Sequence, residues 1–160
     1  MLQLERQPYQ GSLRALGRYL DSNIYRHIVV VETEDGGFIV RAFADGGNLK
    51  ADGIELPMSD LVSLIDSHAQ TRGLALPAVK TPPLCPTGYE DFFRALGYEL
   101  DAIRVTGLRL IELSTGILVG FSGTNAKGEF QRSEILYDRS LITQALERGY
   151  QRRGVSAPES

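Results

Sequence analysis

Laid on itself with an offset of 80 residues, the chain repeats a pattern, and this repeat limits the fold more than any other feature of the sequence. Arg14-Ala15-Leu16-Gly17 falls on Arg94-Ala95-Leu96-Gly97, and Leu20-Asp21 falls on Leu100-Asp101. Tyr9 falls on Tyr89, Glu32 on Glu112 and Gly36 on Gly116. These are nine identities over positions 9–36, where average residue usage would give roughly two by chance. Most other pairs keep their polarity, as Leu13 with Phe93, Val30 with Leu110 and Val31 with Ile111. The offset slips to 79 for Phe38-Ile39-Val40 on Ile117-Leu118-Val119, then returns to 80 for Leu61-Val62 on Leu141-Ile142.

Each half therefore carries one copy of one unit. Residues 1–73 form the first copy and 89–153 the second. Residues 74–88 form the linker, whose Pro77, Pro82, Pro83 and Pro86 can neither continue a helix nor sit in a central strand. Residues 154–160 are a polar tail.

Within the first half, Leu13, Leu16, Gly17 and Leu20 share one helical face, and Phe93, Leu96, Gly97 and Leu100 repeat it. A glycine inside a helix costs about 1 kcal/mol against alanine, so Gly17 and Gly97 imply close approach of a neighbouring element. The competing reading makes them helix C-caps. Thr87 and Glu90 have the spacing of a capping box. Strands are expected at Ile28–Thr33 and Phe38–Phe43 around the Asp35-Gly36 turn, and at Leu108–Leu113 and Ile117–Phe121. Looser third strands are expected at Gly53–Leu56 and Glu129–Leu136, with Ala44–Asp52 and Gly123–Gly128 as loops. A closing helix follows each set, capped by Ser59-Asp60 and by Asp138.

The resulting fold class is α+β. It is an internal duplication of an α-β-β-(β)-α unit, with about six antiparallel strands in all, helices on one face and a pseudo-twofold axis. Joining the units edge to edge hides strand edges, and packing them face to face is the alternative.

The chemistry-bearing residues are few. Cys85 is the one cysteine and reads as a plain linker thiol, with no base beside it in sequence. With His27 at a strand start and His68 in a helix's last turn, no zinc set exists. Asp45 to Gly53 lacks the ligand pattern of a calcium loop. Gly120 to Gly123 has the wrong spacing for a nucleophile elbow. Gly123 to Glu129 has Glu where a phosphate loop needs Lys. Glu32 and Glu112 are the repeated acidic pair. They read as solvent-facing strand residues, with an acid/base pair across the twofold as the alternative. Asp21 and Asp101 read as polar helix-end residues.

A formal charge of −3 argues against a nucleic-acid footprint. Arg26, Arg41, Arg94, Arg104, Arg109 and Arg132 are scattered, and Arg139, Arg148, Arg152 and Arg153 follow Asp138. Helix, three strands, helix is also the topology of double-stranded-RNA-binding modules, but Leu61–Gln70 holds no Lys or Arg. The polar start and the lone cysteine point to a cytoplasmic protein without a membrane segment.

No catalytic or metal residue is assigned, binding residues are unassigned, and no cofactor is expected. The leading expectation is a non-enzymatic binding, regulatory or protein-interaction module, with a protein partner or itself as partner, a homodimer being one form. The alternatives are a small-ligand binder or enzyme with its site in the groove between the halves, and a weak nucleic-acid-binding module.

Overall fold

The computed structural model describes residues 8–23, 25–43, 49–57, 59–63, 84–85, 88–124 and 127–154. Helix α1 spans Tyr9–Ser22, and strands β1, β2 and β3 span Arg26–Glu32, Phe38–Phe43 and Leu49–Leu56. Helix α2 spans Tyr89–Ile103 and is followed by β4 (Thr106–Glu112), β5 (Gly116–Thr124), β6 (Phe130–Asp138) and helix α3 (Arg139–Arg153). Residues 59–63 are also helical. His68, Thr87, the four linker prolines and most of the expected loop Ala44–Asp52 lie outside the described residues.

The six strands form one antiparallel sheet in the order β3-β2-β1-β4-β5-β6. The halves thus join edge to edge, through β1 and β4, with Val30 opposite Leu110. Alternation along β1 and β2 buries Ile28, Val30, Phe38, Val40 and Ala42 on one face. Helices α1 and α2 cover that face with Leu13, Leu16, Leu20, Phe92, Phe93 and Leu96, all fully buried. Burying each such side chain stabilises the fold by about 1.5–3 kcal/mol.

Gly17 and Gly97 sit inside their helices rather than ending them, because α1 and α2 run antiparallel and cross there. A Cβ on Gly17 would lie 2.7 Å from the Glu90 Cα, and one on Gly97 would lie 2.5 Å from the Tyr9 carbonyl oxygen. Only glycine lets the two backbones approach so closely.

Three sequence expectations need correction. Strand β3 begins at Leu49, inside the stretch expected as loop. Gly53 adopts φ +67° and the β2–β3 register slips twice, so the glycine-containing segment keeps pairing through irregularities. The expected capping box of α2 is replaced: Gly88 is the N-cap residue and Asp21 of α1 supplies the acceptor. The end of the linker also enters the core, where Leu84 is 6% exposed and Cys85 is fully buried.

Helix α3 keeps its expected cap, the Asp138 carboxylate accepting from Leu141 N at 2.9 Å. It packs on α2 through Gly149, whose added Cβ would stand 3.2 Å from the Ala95 Cβ. No helix among the described residues is long and apolar enough to cross a membrane.

The helix crossing yields a direct expectation. Gly17→Ala and Gly97→Ala each force one backbone off another and lower stability by about 2–3 kcal/mol. Gly149→Ala meets only a methyl group and gains helix propensity, leaving stability within about 1 kcal/mol of wild type. Urea denaturation of the three variants checks this contrast.

Candidate functional site

The two helix starts are completed from the opposite half. The first amides of a helix have no partner within it. Asp21, at the end of α1, accepts from Tyr89 N at 2.9 Å and Glu90 N at 3.0 Å. Asp101, near the end of α2, accepts from Tyr9 N at 2.8 Å and Gln10 N at 3.0 Å. These aspartates are therefore reciprocal caps, not merely polar helix-end residues. Burial raises the Asp21 pKa above its ordinary value, outweighing the two amide donors that pull it down.

Beneath the helices, each first strand of a half carries a bulge. His27 has φ +52° and Gly107 has φ +65°. The ladder register shifts between Arg26 and Val29, and again between Thr106 and Arg109. The amides just past the bulges are taken by carboxylates from across the β1–β4 seam. Glu112 Oε1 accepts from Ile28 N at 3.1 Å, and Glu32 Oε1 accepts from Leu108 N at 3.0 Å. Each carboxylate also accepts a tyrosine hydroxyl from its own half: Tyr9 to Glu32 at 2.6 Å, Tyr89 to Glu112 at 2.7 Å.

Glu32 is thus only 9% exposed, and the solvent-facing reading of this residue is corrected. The acid/base alternative also fails on geometry. The β1–β4 register sets Glu32 level with Leu108 and Glu112 level with Ile28. Four residues of strand separate these levels, about 13 Å, too far to share a proton.

Cys85 lies in the same layer as Tyr89 and is no exposed linker thiol. Burial raises its pKa well above the ordinary value, and the Glu112 and Asp21 carboxylates add to the effect. A protonated, buried thiol is a poor nucleophile. The Tyr89 hydroxyl is likewise pushed far up, by burial first and by Glu112 second. Both groups stay neutral. Among the described residues, no group of three or more His, Cys, Asp or Glu stands together as a metal site would need.

Two surfaces among the described residues bring arginines together with aromatic or aliphatic side chains. The first is a cavity of about 120 Å³ between α2 and α3, lined by Asp91, Arg94, Tyr98, Arg152 and Arg153 among others. Arg152 stacks on Tyr98 at 4.0 Å, and Arg153 on Tyr150 at 5.1 Å. Burial, with Arg14 and Arg153 nearby, lowers the Arg94 pKa. Ligand pockets usually run to several hundred Å³, so this one is small.

The second is the sheet face turned away from the helices. Cross-strand registry places Val29, Val31, Ile39, Ile111, Leu118 and Leu136 on it. Val31 and Leu136 are each 41% exposed, and the other four are half-buried. Arg41 and Arg109 stand on the inner strands of this face, and Arg132 on the outer strand β6. The Arg109 guanidinium lies close above Gly120, 3.0 Å from where a Cβ would be. Glu55 and Glu134 lie nearer its two edges.

Of the residues singled out in the sequence, the fold brings Asp21, Glu112 and Cys85 together, with Arg26 buried nearby, all in structural roles. The remaining arginines scatter: Arg94 lies on α2, and Arg104 ends α2 with φ +53°. Sequence reasoning missed Tyr9 and Tyr89 as carboxylate partners. Their presence in the same repeat as Glu32 and Glu112 was the available signal.

Comparison of the chain with protein-family models, with curated proteins and with solved structures gives no match.

Two expected outcomes follow from this seam. The folded chain holds the Asp21 proton more tightly than the unfolded chain. Its contribution is therefore complete below the ordinary value of 3.8 and is lost as pH rises through the raised folded value. The stability of wild type relative to Asp21→Asn should fall with rising pH across that range, as read by denaturation at several pH values. His27→Gly relieves a left-handed backbone at a small entropic cost and raises stability by about 0.5 kcal/mol, whereas His27→Val lowers it by about 1 kcal/mol. Thermal unfolding of both variants is the check.

Proposed function

We propose that the chain is a non-enzymatic protein-interaction module that binds a partner through the open face of its sheet. The observation that carries this reading is the cluster of Val29, Val31, Ile39, Ile111, Leu118 and Leu136 on the sheet face that no described element covers, beside Arg41 and Arg109. Contiguous exposed apolar surface of this kind marks interaction sites. The partner it suits is an amphipathic segment of another protein, offering aliphatic side chains to the centre of the sheet and carboxylates to the two arginines.

Two further observations favour this over catalysis. The repeated carboxylates and tyrosines are consumed in caps and bulges. The junction between the halves is filled by the α1–α2 crossing and its apolar core, where a ligand groove would otherwise open. We read the halves as copies of one unit on the same grounds, since both sets of contacts occur twice. A cytoplasmic location belongs to the same proposal, resting on the single buried, reduced cysteine.

The arginine-lined cavity between α2 and α3 favours a second reading, a small anionic ligand. Native mass spectrometry of the purified protein separates the two. A reproducible retained small-molecule mass supports the ligand. For the interaction reading, a photo-crosslinking residue at Val29 should capture one defined protein through an aliphatic, acidic segment, and Val31→Asp should reduce that capture at least about ten-fold. Capture that is indifferent to Val31→Asp counts against the open face.

A further inference from the structure

Among the described residues the sheet ends in two edge strands, β3 and β6, and they differ. At the β3 edge, the pairing with β2 shifts register twice and Gly53 bends the strand with φ +67°. Such irregularity is a common guard against edge-to-edge pairing. Strand β6 has no such guard. It pairs with β5 over nine consecutive residues, Phe130 to Asp138, without a register shift. Every β6 residue but Tyr137 is exposed. Phe130 is 67% exposed, and Ile135 and Leu136 are each 41% exposed. A long, regular, partly apolar edge is a template for another strand.

The order of residues along this edge fits one particular strand, its own copy. In an antiparallel pair, residues directly opposite share a face and sit about 4.5–5.5 Å apart. When two β6 strands pair about a twofold axis through Ser133, Arg132 stands opposite Glu134, and Glu134 opposite Arg132. Phe130 meets Leu136 on the same face, and Gln131 meets Ile135 on the other. Each charge thus faces its opposite, and Phe130, the most exposed apolar residue of the strand, faces Leu136, while Ile135 faces the amide of Gln131. Centring on Arg132 sets that arginine against itself, and centring on Glu134 does the same for the glutamate. Like charges directly opposite destabilise a ladder. Of these three centres, the one on Ser133 alone pairs opposite charges and sets Phe130 against Leu136.

We propose that the chain forms a twofold homodimer by antiparallel pairing of β6 with β6 centred on Ser133, joining two six-stranded sheets into one of twelve strands. The twofold is perpendicular to the sheet, so the helices of both copies lie on the same side. Helix α3, which leaves β6 at Asp138, is drawn toward α2 by the ion pair of Arg148 with Glu99 at 2.6 Å and by the bond from Tyr150 to Asp91 at 3.1 Å. This pairing goes beyond the interaction reading, because it uses the sheet's edge and leaves the centre of the open face free.

Charge reversal tests it. Analytical ultracentrifugation over a range of concentrations should show a monomer–dimer equilibrium for wild type. Arg132→Glu and Glu134→Arg each place like charges opposite one another twice per dimer, and each should weaken association about ten-fold or more. The double variant R132E/E134R restores opposite charges and should return within about three-fold of wild type. Ser133→Cys should crosslink to its own copy on mild oxidation, since the paired Cα atoms fall within disulfide range, while Gln131→Cys should not. Buried Cys85 stays silent in that experiment. A monomer at every concentration, failure of the double variant to recover, or equal crosslinking at both positions overturns the pairing and leaves the edge to a strand of a different protein. Val31→Asp should leave the dimer intact, so failure of the edge and failure of the open face are read separately.

Discussion

Everything on the helical side depends on the distance of closest approach between α1 and α2. The missing Cβ atoms at Gly17 and Gly97 let each backbone lie against the start of the other helix. Only at that separation can a short aspartate side chain reach two amides of the opposite helix. Crossing and capping are therefore one interaction. The glycines give up helix propensity locally, and the opposed helix ends regain it by having their amides satisfied.

The same logic governs the sheet beneath. Bulges at His27 and Gly107 turn amides out of the regular ladder, and a buried amide without an acceptor is costly. Glu32 and Glu112 supply the acceptors from across the seam, and tyrosine hydroxyls from the overlying helices hold those carboxylates in place. Helix pair, carboxylates and central strands are thereby fastened in one layer. The polar residues that the sequence reads as solvent-facing strand and helix-end positions are thereby structural.

Much of the fold was legible because two similar stretches of sequence gave each weak signal twice. Both hairpins, both first helices and the Asp138 cap follow from period and turn chemistry. The burial of Glu32 was legible too, since it shares strand parity with Ile28 and Val30, but a carboxylate on an apolar face invites the opposite reading until its donors are known. Cys85 was hidden by its prolines, which mark a break in regular structure without saying on which side of the core the chain runs. The candidate surfaces were least legible. Which sheet face stays uncovered depends on where the helices pack, and the fit of β6 to itself appears only once that strand is known to be an edge with an unbroken register.

The capping pairs join residues far apart in the sequence: 92 positions separate Tyr9 from Asp101, and 68 separate Tyr89 from Asp21. During synthesis the first helix must wait for its cap until residue 101 has been made. The completed first half meanwhile carries Asp21 with nothing yet to hold. Helix α2 thus finishes helix α1 as α1 finishes α2, and neither half has both of its helix ends satisfied without the other.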